Sequence, residues 1–392
     1  MTNLPPPTNP LMPNPPGDEE SSSKQAFRYI HSPDFPKVLG ELGVTLVATT
    51  YQAGRVLAFS SNGAKCSLLM RAFPHPMGIA VQDGRMALVC KNQIWFMVNQ
   101  TDLVAEDGKR PQYESYYIPR RSHVTGDISG HEIAWGNRGL SPDEDAEDHS
   151  EEGSKKNIQS NKEVWVVNTR FSCLCTIDPE YSFVPRWQPP FISKVEAGDR
   201  CHLNGLAMRD GYPAFVSAFA EMNTAQGWRE HREDGGIIID IASGEIITRG
   251  LAMPHSPRWY DDKLWILDSG KGEFLQVDPT TGEKTTIIQL PGFTRGLAFH
   301  DHYAFVGLSK TREKRTFGDL PLENKINELE CAIYMIDLNT GKQVGFVRFE
   351  NTCDELFDVQ VVPKTRNLNV IGFTKDTVNG IFVLPRNSSG RR

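Results

Sequence analysis

No excess of basic residues is present: Lys and Arg total 42 against 49 Asp and Glu, for a net charge of −7. Without a basic surface the chain has nothing to neutralise a phosphate backbone, so nucleic acid is not an expected partner. No apolar run approaches the roughly 18–20 residues that span a bilayer, and the N-terminus lacks a basic segment followed by an apolar one, so no membrane partner or export is expected. Cysteine is scarce, with seven in 392 residues, at spacings that fit neither a zinc ribbon nor a disulfide framework. Reduced thiols and a cytoplasmic location follow as the expectation, and Cys173 and Cys175, two apart on one strand face, read as small core residues. A nucleophile elbow, a P-loop and a dinucleotide fingerprint are also missing, so no covalent mechanism is announced.

What is present is apolar sequence in short pieces. Hydrophobic residues make up 39%, enough to bury a core, and they are distributed from residue 38 to residue 383. Residues 1–34 are expected to be a disordered tail rich in Pro and Ser. Residues 141–162 read as an acidic surface insertion, residues 310–330 as an irregular insertion with a short helix near Leu322, and residues 386–392 as a flexible end.

Six apolar runs are each followed by a polar turn. They run into Ser60-Ser61-Asn62-Gly63, Asn99-Gln100-Thr101-Asp102, Asp178-Pro179-Glu180, Asp240-Ile241-Ala242-Ser243-Gly244, Asp278-Pro279-Thr280-Thr281-Gly282 and Asp337-Leu338-Asn339-Thr340-Gly341. An Asp or Asn that opens a turn can accept hydrogen bonds from the amides ahead of it, and a late Gly supplies a positive φ, so these are hairpins with a mechanism. Upstream lie further strand pairs, such as Gly78–Val81 with Met86–Val89 and Gly296–Phe299 with Tyr303–Val306. Together they predict units of four antiparallel strands, about 40 to 60 residues long, repeated six times. The predicted fold is therefore all-β, a six-bladed β-propeller over residues 35–385, in preference to a two-sheet sandwich. Phe357–Val362 is expected as the last inner strand with Asn369–Phe373 beside it, and the run from Thr45 to Phe59 closes the ring.

Naming the strands of a blade A to D from the axis outward sorts the unusual residues onto one rim. The starts of the A strands carry His75, His123, His202 and His255, with Arg295 and Glu355 in the two remaining blades. Only ten histidines occur in the chain, so four at one structural position form a candidate metal cluster for Zn, Fe, Mn or Cu, with Glu355 as ligand or general base. The plainer alternative is that these histidines cap strand ends by bonding loop backbone. His131 competes with His123 for the third blade. Arg170, Arg258 and Arg295, with Asn168 and Asn204, are candidate contacts for a carboxylate, phosphate or sulfate; the alternative for the arginines is salt bridging between blades to Asp268, Asp354 or Asp358.

The strings Asn168-Thr169-Arg170-Phe171-Ser172-Cys173-Leu174, Asp199-Arg200-Cys201-His202-Leu203-Asn204-Gly205-Leu206-Ala207, Pro254-His255-Ser256-Pro257-Arg258-Trp259 and Pro291-Gly292-Phe293-Thr294-Arg295-Gly296-Leu297 resemble those of a bacterial conserved-hypothetical family with a domain of unknown function. The resemblance covers residues 35–385 and implies one propeller-like domain. At the level of fold it is similar to lactonase-like and amidating-lyase-like propellers, which hold a metal in the axial channel, although their ligand motifs do not align here. The expected function is a metal-dependent enzyme, whether hydrolase, lyase or oxygenase, acting on a small polar, anionic substrate in the axial funnel. The competing expectation is a non-catalytic module for an anionic glycan, peptide or modified side chain, or a protein scaffold.

Overall fold

The computed structural model describes residues 27–101, 113–144, 162–310, 320–323, 326, 328–372, 378 and 381–383. These form six small sheets arranged in a ring, a six-bladed β-propeller. In each sheet four strands run antiparallel with the A strand innermost, and successive A strands are neighbours around the axis. Blade 1 is closed from both ends of the chain: its A strand is Asp358–Val362, paired antiparallel with Thr45–Thr50, and Arg55–Ser61 and Cys66–Ala72 follow outward. The A strands of blades 2 to 6 are Ile79–Gln82, Gly130–Asn137, Leu203–Arg209, Pro254–Tyr260 and Phe293–His300.

Five of the six expected hairpins are C-to-D turns that work as their residues suggest; at Asn99–Asp102 the strands Gln93–Gln100 and Ser115–Val124 are joined by a longer connection, of which residues 102–112 lie outside the described ones. Asp240 accepts from the amide of Ser243 at 2.8 Å, Asp278 from Thr280 at 2.7 Å, and Asp337 from Asn339 at 2.9 Å. Gly244, Gly282 and Gly341 close the same turns at φ between 67° and 74°. Strands alternate buried faces between blades, so the core is a set of apolar layers between neighbouring sheets, such as Trp165, Leu174, Leu203, Val216 and Ile239 between blades 3 and 4.

Two expectations are corrected, and one helix was not foreseen. Residues 27–34 do not belong to a tail: Tyr29–His31 adds a fifth strand to blade 6 against Lys342–Phe349. A helix, Asp34–Leu42, then buries Phe35, Val38 and Leu39 in the cluster shared by blades 6 and 1 and ends at Gly43, whose φ is 64°. Its apolar residues at 35, 38, 39 and 42 follow helical spacing, a signal that strand counting passes over. Finally, Leu368–Val370 is not a neighbour of the last inner strand. It crosses to the outside of blade 2 and pairs parallel with Ser115–Val124. The tail up to residue 26, the end from 386 to 392, nearly all of the acidic insertion and much of 310–330 lie outside the described residues. The acidic insertion falls where expected, between the A and B strands of blade 3.

Candidate functional site: the axial rim

The A-strand starts converge at one end of the ring, and irregular register there re-aims their side chains. The A-to-B ladder shifts between His255 and Arg258 in blade 5, between Leu203 and Gly205 in blade 4, and between Thr294 and Leu297 in blade 6. Close approach of the strands requires small residues. A Cβ on Gly205 would stand 2.2 Å from the Pro257 ring of the next blade, and Gly296, at φ +82°, lies against the backbone of Asp358. Hydroxyls at the ends of B strands fasten four of the six A-strand starts to the preceding blade. Thr49 donates to the Met77 carbonyl at 2.6 Å, Thr169 to Leu203 at 2.6 Å, Ser309 to Leu356 at 3.1 Å, and Ser269 to Thr294. The ends of these B strands therefore serve as clamps between blades.

Three imidazoles gather on this frame: His131, His202 and His255, from blades 3, 4 and 5. The rings of His131 and His202 meet edge to face with centroids 4.9 Å apart, and Phe219 stacks on His202 at 4.3 Å and touches His255 at 5.2 Å. Each ring is oriented through Nδ1. His131 Nδ1 lies 2.9 Å from the Ser129 carbonyl, and His255 Nδ1 lies 2.9 Å from that of Met253. In both cases the acceptor sits two residues upstream and takes a left-handed φ of 51°. His202 instead has a carboxylate: its Nδ1 is 2.9 and 3.0 Å from the two oxygens of Asp199, which also accepts from the Trp228 indole at 3.1 Å. Burial holds the pKa of His131 well below the ordinary histidine value, and the neighbouring His202, Arg295 and His255 push it the same way, so its ring is neutral at physiological pH.

Blades 6 and 1 complete the wall. The Arg295 guanidinium lies over the Phe357 ring, its central carbon 3.4 Å from the centroid, and Phe357 in turn touches His131 at 5.3 Å. A cavity of about 10 Å³, the room of roughly one water molecule, is lined by Arg295, His255, Ser269, Ser309, Lys310 and Glu355. Glu355 is buried and accepts from the Gln52 amide at 3.3 Å. Beneath the rim, Arg258 spans the axis. It bonds Glu132 of blade 3 with both terminal nitrogens, at 2.8 and 3.1 Å, and stands 3.5 Å from Asp358 of blade 1. Burial raises the Asp358 carboxyl to about 7, with Glu132 adding to the effect and Arg258 opposing it.

Several sequence expectations change accordingly. His123 lies on the outer strand of blade 2, within 3.0 Å of the Ser182 carbonyl, because that strand runs on to Val124; His131 takes the third-blade slot. His75 reaches the rim but its ring meets that of Tyr51 in a tilted contact at 4.8 Å, away from the other three imidazoles. Arg258 is engaged by the two carboxylates, and Arg170 pairs with Asp127 at 3.0 Å on the exposed face. Asn168 and Asn204 are buried, accepting from the Phe171 amide and the Ser217 hydroxyl. Asp199 and Glu132 escaped sequence reasoning, although Asp199 stands three residues before His202. Among the described residues no group of three or more His, Cys, Asp or Glu side chains is arranged to hold a metal ion.

A family model described as a domain of unknown function, DUF4915, matches residues 33–371, which takes in every blade. The chain belongs to this family. No curated protein matches the sequence. Among solved structures, this DUF4915 chain is similar to a chain of the nidogen/laminin complex, with 10% identity, 82% of this chain and 98% of that chain covered, and a TM-score of 0.46. It is also similar to a protein of unknown function from Bacteroides caccae, with 10% identity, 81% and 98% covered and a TM-score of 0.44. Hydrazine synthase of Kuenenia stuttgartiensis gives 12% identity, 75% and 74% covered and a TM-score of 0.38. No helix among the described residues is long and apolar enough to cross a membrane.

Proposed function

We propose that the axial rim is the active site of an enzyme that holds a small anionic substrate at Arg295 and moves a proton through the Asp199–His202 pair. The observation that carries this reading is the paired geometry of Asp199 and His202, where a carboxylate fixes the imidazole through Nδ1 and leaves Nε2 as the nitrogen that exchanges a proton. Neutral His131 beside it can donate or accept a hydrogen bond without adding charge, while Arg295 supplies the cation that an anionic group needs. Glu355, across the small cavity from Arg295, is a second candidate base.

Two variants test the assignment. With inorganic sulfate as probe in calorimetric titration, Arg295→Gln is expected to abolish binding, while Asp199→Asn leaves it intact. In a screen of small carboxylate, phosphate and sulfate esters, Asp199→Asn is expected to lower turnover by about 10²- to 10⁴-fold. Sulfate binding that survives Arg295→Gln overturns the reading. Turnover that survives Asp199→Asn overturns the role of the Asp199–His202 pair, and sulfate binding by a wild-type protein that turns over none of these esters leaves the non-catalytic anion module.

A metal-dependent variant of this enzyme has one observation in its favour. His131, His202 and His255 each meet an oxygen at Nδ1, the arrangement by which ligating imidazoles are commonly oriented toward a metal through Nε2. In that case the ion would supply Lewis acidity. Elemental analysis of untagged protein decides it: less than stoichiometric metal that dialysis removes excludes the variant.

A further inference from the structure

A second concavity opens on the same rim, between blades 1 and 2. It has a volume of about 580 Å³ and is lined by Phe73, Pro74, His75 and Trp95, with Ala72, Gln52 and Arg55 among its other walls. That size lies within the range of roughly 300–1,000 Å³ typical of small-molecule sites, and aromatic rings with a few polar groups are their usual lining. Arg55 is exposed and meets no carboxylate among the described residues; its guanidinium donates to the neighbouring Gly54 carbonyl at 3.2 Å. His75 stands at φ +46° immediately before Pro76, a left-handed conformation that the following proline disfavours, and its buried Nδ1 meets no hydrogen-bond partner among the described residues. Strain of this kind in a non-glycine residue persists where surrounding structure imposes it, and it gathers at ligand sites.

The groove adjoins the axial cavity. Gln52 lines the groove, and its backbone amide donates to the Glu355 carboxylate, which lines the cavity with Arg295. Tyr51 forms the partition, its ring tilted against that of His75 with centroids 4.8 Å apart on one side and 6.0 Å from Phe357 on the other.

We propose that this groove binds a planar aromatic group bearing an anionic substituent, the ring lying against Trp95 and Phe73 with its charge toward Arg55. We further infer that it is the outer arm of the axial site, so that the substrate is an aromatic anion with a second charged end at Arg295. This extension rests on the function proposed above, whereas occupation of the groove does not. The probe is anilinonaphthalene sulfonate, an aromatic anion whose fluorescence reports apolar binding.

Fluorescence titration of the wild-type protein is expected to show saturable binding of this dye. Ala72→Trp, which fills the groove without removing a core side chain, is expected to lower affinity at least tenfold at unchanged melting temperature, and Arg55→Glu about threefold or more. Dye affinity unaltered in both variants overturns the groove site, whatever happens at the axis. If Ala72→Trp abolishes dye binding while Arg295→Gln leaves sulfate binding unaltered, the groove stands and the axial reading falls. Displacement of the dye by a benzene dicarboxylate that is seen in the wild type and lost in Arg295→Gln supports the two-armed substrate; displacement retained in Arg295→Gln overturns the extension to the axis.

Discussion

On the rim of the A-to-B turns, chain reversal is assigned to residues that tolerate it. Asp83, Asp210, Asp261, Asp262 and Asp301 take left-handed φ between 49° and 55°, with Gly84 and Gly211 beside them. On the axial rim the same backbone conformation falls to His75, Ser129, Asp199, His202, Met253 and Ser256. Asp in a turn stabilises the bend through its own side chain, so that rim is locally self-sufficient. Histidine, serine and methionine have less local compensation, and contacts between blades stand beside them: Thr49 and Thr169 hold the carbonyls of Met77 and Leu203, next to His75 and His202, and the Ser256 hydroxyl accepts from the Gly296 amide of the next blade. One rim is thus built from turn chemistry and the other from tertiary constraint, and the strained rim carries the imidazoles, Arg295 and Glu355.

The comparison breaks hardest at Arg258. Arg258→Met removes the cation from between Glu132 and Asp358 and leaves two buried carboxylates, which is expected to cost about 3–5 kcal/mol, read as a lower urea midpoint. Gly205→Ala comes next: a methyl group against Pro257 forces blades 4 and 5 apart, for about 1–3 kcal/mol, and weakens sulfate binding along with stability. An unchanged sulfate affinity in this variant would separate the packing of the rim from its ligand site.

The buried carboxylates also give the axis a pH signature. The folded-state pKa of Asp358 is raised to about 7, above its ordinary value of 3.8. Between those values the folded protein therefore holds a proton that the unfolded chain has released. The contribution of Asp358 to stability is most favourable below about pH 4, falls as pH rises toward 7, and is constant above. The midpoint of the wild type is expected to fall relative to that of Asp358→Asn across this window; parallel profiles would show that the carboxylate titrates normally. The smallest effect is expected on the far rim. Thr281→Ala, in an exposed C-to-D turn, should change stability by no more than about 0.5 kcal/mol and leave sulfate binding intact. Loss of binding in that folded variant would place the site on the opposite rim.

Which parts were legible in the sequence follows the same division. The Asp-Gly turns could be located because their hydrogen bonds close within five residues, as in Asp278 to Gly282. The A-strand starts at His202, His255 and Arg295 were legible because an apolar strand follows each one. His123 was misplaced because the outer strand of blade 2 and the next A strand are separated only by residues 125–129, and either histidine satisfies the local pattern. Asp199 was passed over because its value comes from a bend that turns its carboxylate back onto His202 and Trp228.

By itself, the amino-acid sequence determined the number of blades, the rim on which histidine and arginine accumulate, and the chemistry of the opposite turns, since each depends on side chains acting on backbone a few residues away. Which of those side chains meet was decided by closure of the ring. Glu132 and Arg258 are 126 residues apart, and Gln52 and Glu355 are 303. Their pairing depends on the angle between blades and on how far each side chain reaches across the axis, quantities that arise only when the strand Asp358–Val362 docks on Thr45–Thr50 and fixes all six sheets about one channel.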